Sequence, residues 1–424
     1  MMTREEQDRL VRVGPGTPAG NLFRRYWVPA LLAAEVQEPD GAPVRVRLLG
    51  EDLIAFRDTN GKVGLVEAYC PHRRAPMFYG RNEECGLRCV YHGWKFDVNG
   101  DCVDLPTEPP SSKMKDHIKI KAYPTSERGG IVWAYMGPAD KRPPEPDFDW
   151  TRAPATHRAV SKSYQANNYL QSLEGAVDTA HVGFLHNNRM GDKNNLFSRD
   201  GAPRIDVHET DYGYIYTATR NYDTEREFVR AYHYMMPSQQ MRPNITNTGL
   251  ATSAKVPRYD GHIWVPIDDE QTYVYNWMAG CDHNSPIDAE YAEKLEEAYG
   301  RGRHEYVPGT FHMKANASND YFIDRQVQKT VSFTGVRGIN TQDMVVQEGM
   351  GPIVDRSREN VGSSDKAILA MRKLLANAVR AVEQDGDPPG TDPKTYRTAR
   401  PYDGLVGKGG DWRAVFGDQL RGSW

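Results

Sequence analysis

The chain has 424 residues, of which 39% are hydrophobic and 26% charged, with a formal charge of −4 at pH 7. This length predicts two or three domains of an ordinary globular protein, and the near-neutral balance argues against a nucleic-acid partner. No apolar run approaches the roughly 20 residues that span a bilayer, and the charged start MMTREEQDRL lacks the apolar centre of a secretory signal, so no membrane role is expected. Five cysteines in so long a chain do not make a disulfide framework; they fit a reducing cytoplasm better.

In chain order, residues 3–13 predict a short helix, ended by GPGTPAG over 14–20. Strand patterns follow at 44–49, 53–56, 63–66, 87–98 and 131–135, with hairpin signals at Asp58-Thr-Asn-Gly61 and Asp97-Val-Asn-Gly100. The proline- and charge-rich stretch GPADKRPPEPDFDWTRAP over 137–154 reads as a domain boundary. Beyond it, 164–180 predicts a helix, 212–220 and 271–277 strands, and 286–300 a second helix. Ser363-Ser-Asp365 can cap a helix running to about residue 384, with Ile368, Met371, Leu375, Val379 and Val382 on one face. The Gly- and Pro-rich tail after residue 386 is expected to wrap or fray. Strands and helices without regular βαβ alternation predict an α+β fold. The expected organisation is a helical segment over 1–40 packed on the core, a β-rich domain over 41–145, and a larger domain over 155–424 in which helices accompany an antiparallel sheet.

Two short clasps stand out. Cys70-Pro-His72 and Cys89-Val-Tyr-His92 each carry one thiolate and one imidazole on a loop between strands. Structural zinc accepts a Cys2His2 set; a Rieske [2Fe–2S] cluster places two Cys on one iron and two His on the other. Zinc fingers usually pair Cys with Cys and His with His, so the interleaved order favours the cluster. Gly93 would let backbone approach it closely, and Trp94 would shield it from water. Cys85, Cys102 and Cys281 have no partner spacing and are expected to be ordinary buried thiols.

With these residues in place, the text CPHR at 70–73 and EECGLRCVYHGWKFDVNGDCVDLPTEP around the second clasp resemble the N-terminal Rieske domain of ring-hydroxylating oxygenases, the phthalate dioxygenase group in particular. The similarity runs from Val13-Gly-Pro-Gly to Val354-Asp-Arg. It implies iron at Cys70, His72, Cys89 and His92, acting as a one-electron relay.

A second constellation lies in EGAVDTAHVGFLH over 174–186. On a helix, Glu174, Asp178 and His181 share one face, and Gly183 offers an end from which His186 can swing back. Two histidines and one carboxylate with open positions make the facial triad of non-haem Fe(II) oxygenases. The resemblance implies that His181 and His186 hold the iron, while Asp178 bridges to a Rieske histidine of the neighbouring subunit, by position His92. It also implies that Asp343, in Asn340-Thr-Gln-Asp343, is the third ligand. On spacing alone Asp320 and Asp324 are rivals, and Asp355 a weaker one.

The implied activity is a terminal oxygenase that reduces O2 at a mononuclear Fe(II) to dihydroxylate an aromatic carboxylate, phthalate- or benzoate-like, in aromatic catabolism. A monooxygenase that O-demethylates or hydroxylates such an acid is the alternative; an electron-transfer or zinc-binding protein is the alternative of another class. No G-x-G-x-x-G follows a strand, so electrons must come from a separate reductase, which in this family carries flavin and an iron–sulfur centre. The family also implies a homo-oligomer, a trimer or stacked trimers. A substrate carboxylate favours Arg, for which Arg204 and Arg230 are the first candidates and Arg189 and Arg242 also possible, although a lone Arg is more often in a surface ion pair. His208, His233, His262 and His312 have no assigned role.

Overall fold

The computed structural model describes residues 2–192, 195–246 and 256–424. The first domain is built from β1 (Trp27–Leu32), β2 (Val44–Leu48), β3 (Glu51–Arg57), β4 (Val63–Glu67), β5 (Arg81–Glu83), β6 (Gly86–Arg88), β7 (Lys95–Phe96), β8 (Cys102–Asp104), β9 (Thr125–Arg128) and β10 (Ile131–Tyr135). They form three antiparallel sheets, ordered β1-β10-β9, β2-β3-β4 and β5-β6-β7-β8. Both expected hairpin turns are present: Asp58–Gly61 joins β3 to β4, and Asp97–Gly100 joins β7 to β8. The stretch 87–98 is not one strand, because Cys89–Trp94 breaks it into the hairpin β6–β7.

The segment 1–40 is only partly helical. Helices Arg4–Val11 and Pro18–Phe23 pack against the long helix Lys366–Glu383 of the second domain, but the apolar WVPALL that follows is β1, paired with β10. Thr3 and Glu6 close a capping box on the first of these helices.

The second domain is one antiparallel sheet of β11 (Arg158–Gln165), β12 (Arg204–Thr210), β13 (Gly213–Asn221), β14 (Arg226–Met235), β15 (Gln239–Asn244), β16 (Arg258–Pro266), β17 (Thr272–Gly280) and β18 (Tyr402–Gly407). Its order is β11-β17-β16-β15-β14-β13-β12. β15 pairs with β14 only at His233–Met235, which leaves one edge of the start of β14 open, the other being paired with β13; β18 fills that edge from Arg226 to Ala231. The tail therefore does not fray: bare backbone groups on a long strand are satisfied by it.

The expected helix over 164–180 is also corrected. Residues up to Gln165 belong to β11, in register with β17, and the helix begins after Asn168, whose side chain accepts from the Leu170 N–H. It spans Tyr169–Val177 and buries Leu170, Leu173 and Val177. The expected second and last helices are present as Ala289–Tyr299 and Lys366–Glu383, the latter burying Met371, Leu375 and Val379. One core joins the N-terminal helices, β1 and β10, and the large sheet; a smaller one underlies the two clasps.

Candidate metal centres and active site

The two clasps are the same local structure used twice. Cys70 N–H donates to Ala75 O at 2.9 Å and Arg74 N–H to Cys70 O at 2.9 Å; Cys89 N–H donates to Trp94 O at 2.8 Å and Gly93 N–H to Cys89 O at 2.9 Å. Each six-residue loop turns through a left-handed residue at the same place, Arg74 (φ 60°) or Gly93 (φ 79°). The cysteines are buried and the histidines half-buried, so the set has a dry thiol side and an outward imidazole side. The His72 and His92 rings meet edge to face at 4.5 Å, and Trp94 stacks on His72 at 4.3 Å. Burial, together with the neighbouring Cys89, pushes the Cys70 thiol up to about 11, so a metal entering this pocket would have to displace protons. Of the other cysteines Cys102 is buried, but Cys85 and Cys281 are half-buried; Cys85 sits on the β5–β6 turn, where its sulfur accepts from Asn60.

The second set assembles from three separate elements. The Tyr169–Val177 helix ends with Asp178 as its C-cap, so Glu174, Asp178 and His181 do not share a helical face. Glu174 instead receives Arg356 and Arg372 in a buried ion-pair cluster, which ties this helix to two downstream segments. His181 lies on a 3-10 turn, His181–Gly183, in which Gly183 packs against the Phe197 carbonyl, and the chain then curls to bring His186 back. Asp343 comes from the helix Ile339–Gly349. That helix starts against the end of Ala289–Tyr299: Gly338 (φ 86°) abuts Gly300, and a Cβ on Gly338 would lie 2.6 Å from the Gly300 Cα.

His181 Nε2 and His186 Nε2 are 3.1 Å apart, and Asp343 Oδ1 lies 3.7 Å from the first and 3.3 Å from the second. Both Nδ1 atoms are already committed to acceptors. His181 Nδ1 faces Asp178 Oδ2 at 3.4 Å, and His186 Nδ1 faces Gln342 Oε1 at 2.9 Å. The Gln342 amide nitrogen donates to Asn188 Oδ1 and Val336 O, so its oxygen must be the atom turned to His186. In the neutral tautomers both Nε2 atoms therefore carry lone pairs, and three electron-pair donors converge on one point. A cation resolves that repulsion: ligand bonds of about 2.1 Å at right angles separate their donor atoms by about 3 Å. Burial opposes ionisation of Asp343, but with no metal bound, protonated His186 and His181, together with the Arg242 charge, outweigh it and hold the carboxyl below its ordinary value; for Asp178, burial is likewise outweighed by His181 and the Ala180 and His181 N–H groups.

The rival carboxylates lie elsewhere. Asp324 caps the helix Arg325–Thr330, Asp355 pairs with Arg4, and Asp320 is exposed. Among the described residues His181, His186 and Asp343 are the group with metal-ligand proximity.

A model of the Rieske [2Fe-2S] domain matches residues 26–124, and one described as LigXa C-terminal domain like matches 134–421. The chain is 39% identical to the phthalate 4,5-dioxygenase oxygenase subunit of Pseudomonas putida, over 97% of this chain and 94% of that protein. It belongs to the Rieske non-haem iron oxygenases. A second relative of this Rieske oxygenase, the 3-chlorobenzoate-3,4-dioxygenase oxygenase subunit of Comamonas testosteroni, is 36% identical over 99% of each chain. The structure of the NdmA QL mutant of Pseudomonas putida CBB5 with theobromine shares the fold with a TM-score of 0.62 at 18% identity, over 89% of this chain and 94% of that one. The family carries the [2Fe–2S] cluster and a mononuclear iron, and the two donor sets above fit those groups. No helix among the described residues is long and apolar enough to cross a membrane.

A cavity of about 370 Å³ opens beside the three converging donors, between the large sheet and the helix that carries Asp343. Its wall includes Phe197, Tyr232, Trp264, Val274, Met313 and Met344 as apolar surface, with Arg230, Arg242, Asn244 and His262 among its polar groups. Arg204 is not there: it sits on the outer strand β12, mostly exposed, and pairs with Glu227. Arg230 lines the cavity but donates to the Pro243 carbonyl and faces Asp403. Arg189 lies exposed at the rim. Arg242 is different. Its nearest acid, Asp260, is 3.9 Å away and already engaged by Arg258, Asn244 and Tyr299. His233 is spent between the Tyr212 hydroxyl and the Arg400 carbonyl; His208 and His312 lie against Trp412 and Tyr164. Sequence reasoning missed Gln342 as the support of His186, and its one clue was adjacency to Asp343.

Proposed function

We propose that this Rieske oxygenase dihydroxylates an aromatic carboxylate of the benzoate or phthalate type, as the terminal component fed by a flavin- and iron–sulfur-carrying reductase. The observation that carries the reading is Arg242: a guanidinium whose nearest carboxylate, Asp260, is 3.9 Å away and shared with Arg258, in the wall of a mainly apolar cavity that ends at His181, His186 and Asp343. A planar fork of donors in such a wall suits a carboxylate, and the volume suits a single substituted ring. The names of the two relatives, a phthalate and a chlorobenzoate dioxygenase, point the same way.

In this reading Cys70, His72, Cys89 and His92 hold the cluster, and His181, His186 and Asp343 hold the iron. The cluster supplies electrons one at a time, and the iron supplies O2 activation. The chain's own part is to hold the ring beside the three ligands through Arg242, to keep both histidine tautomers fixed through Asp178 and Gln342, and to exclude bulk water with the aromatic wall. Asp178 has a second task, accepting an N–H from His92 of a neighbouring subunit. Two exposed apolar patches support such a head-to-tail ring: Val90 and Tyr91 beside His92, and Phe184, Val331 and Phe333 beside the His181–His186 turn.

The test is turnover of benzoates and phthalates with a surrogate reductase under ¹⁸O2. Two labelled atoms in a dihydrodiol or catechol are expected; a single labelled atom would convert the reading to monooxygenation. Asp178→Asn should retain both metals and lose turnover, and unimpaired turnover would remove the bridging role.

A further inference from the structure

The cavity holds a second polar group whose hydrogen-bonding character the fold decides. His262, on β16, is 3% exposed and lines the cavity. Its Nδ1 lies 2.7 Å from Asn276 Oδ1. The amide nitrogen of Asn276 is spent on the Ser161 and Ser163 hydroxyls and the Val274 carbonyl, so the atom facing His262 is the acceptor oxygen and Nδ1 carries the proton. Burial first, then Arg242 and Arg301, keeps the ring from taking a second proton. Arg301 cannot turn away, because Glu296 and Asn340 hold it. Nε2 is thus a lone-pair acceptor with no hydrogen-bond partner among the described residues.

Arg242 and His262 are related by strand register. Arg242 is paired with Asp260, and His262 follows Asp260 by two residues, on the same face. Such diagonal neighbours are about 7–8 Å apart at the backbone. A cation and a neutral acceptor at this spacing match an arene with a carboxylate at one end and an N–H or O–H donor across the ring. A second carboxylate would instead set oxygen lone pairs against Nε2.

We propose that His262 is a specificity-determining residue that accepts a hydrogen bond from a ring substituent, so that hydroxy- or aminobenzoates are preferred over phthalate-type dianions and unsubstituted benzoate. This rests on the aromatic-carboxylate reading above. The experiment is calorimetric binding to the iron-loaded oxygenase without reductant, using 3-hydroxybenzoate, 4-hydroxybenzoate, 3-aminobenzoate, benzoate and phthalate. At least one donor-bearing acid is expected to bind about tenfold or more tighter than benzoate and phthalate, as one buried hydrogen bond allows. His262→Phe removes that advantage, so that within the variant the donor-bearing acids bind no tighter than benzoate. Asn276→Asp gives an independent arm: a carboxylate there favours the imidazolium, Nε2 becomes a donor, and the preference moves towards phthalate. Equal binding of all five acids, or an unchanged order in Asn276→Asp, overturns the proposal. If benzoate binding is still lost in Arg242→Gln, the carboxylate reading survives that outcome; if none of the five acids binds, both fall.

Discussion

Gln342 accepts the Nδ1 proton of His186 at 2.9 Å, one residue before the carboxylate of Asp343. One helical turn therefore delivers both a proposed iron ligand and the support of another. Gln342 is fully buried, and its nitrogen is anchored at both donor positions by Asn188 and Val336. Groups that orient a metal-bound imidazole typically contribute 10–100-fold in metal affinity. Gln342→Leu should therefore lose the mononuclear iron selectively. Iron analysis is expected to fall from about three to about two per chain, while the visible spectrum of the cluster is unchanged. Full iron content after dialysis against a weak chelator would show that His186 needs no such support.

Glu174 ties down the helix that leads into Asp178. It accepts from Arg356 at 2.8 Å and from Arg372 at 2.7 Å, and Arg356 is completely buried. Replacing it leaves two guanidinium groups short of their carboxylate, a change that costs about 3–5 kcal/mol when one partner of a buried pair is removed. Glu174→Gln should lower the unfolding temperature by several degrees. The pH dependence has a fixed sign. Burial alone would raise the carboxyl, but Arg356 and Arg372 outweigh it and hold the carboxyl below its ordinary value. Its contribution is therefore present above the unfolded value near 4.3 and is lost as pH falls through the lower folded value. The stability gap between wild type and variant should be full at neutral pH and shrink in acid. A gap that stays constant down to pH 3 would mean that Glu174 is not ionised in the fold.

What could be read from the text and what could not divides along local and distant contacts. The clasps at Cys70–His72 and Cys89–His92 are closed by hydrogen bonds within six residues, so spacing and turn residues already define them. The long amphipathic helix near the C-terminus was legible for the same reason. The helix expected over 164–180 is present but begins only at Tyr169, because the residues up to Gln165 take their conformation from β17, more than a hundred positions away, and strand preference depends on such partners. Which of the candidate arginines reach the cavity was likewise not legible. Arg204 and Arg242 both lie in strands, but β12 is the outer strand and β15 is central, and sheet order is not written in local pattern. Asp343 came from family resemblance, whereas Gln342 and His262, neutral and without motif, carried no signal apart from neighbours that only the fold supplies.

Gly93 tests how far the clasp geometry depends on backbone. It occupies the left-handed position of the second loop (φ 79°), directly after His92, and its N–H closes that loop on Cys89. A Cβ there would lie 2.6 Å from Pro106 Cγ, inside contact distance. Gly93→Ala therefore carries the left-handed penalty of roughly 1–2 kcal/mol and must also displace Pro106. The first loop tolerates a side chain at its equivalent position, Arg74, because it points outward and pairs with Glu67. The expected outcome is a bleached or rapidly bleaching protein: cluster absorbance per chain falls, and His181, His186 and Asp343 still bind added Fe(II). Arg74→Ala, changed at the equivalent position of the other loop, should keep full colour. Equal cluster occupancy in Gly93→Ala and wild type would show that the second clasp can shift without losing iron.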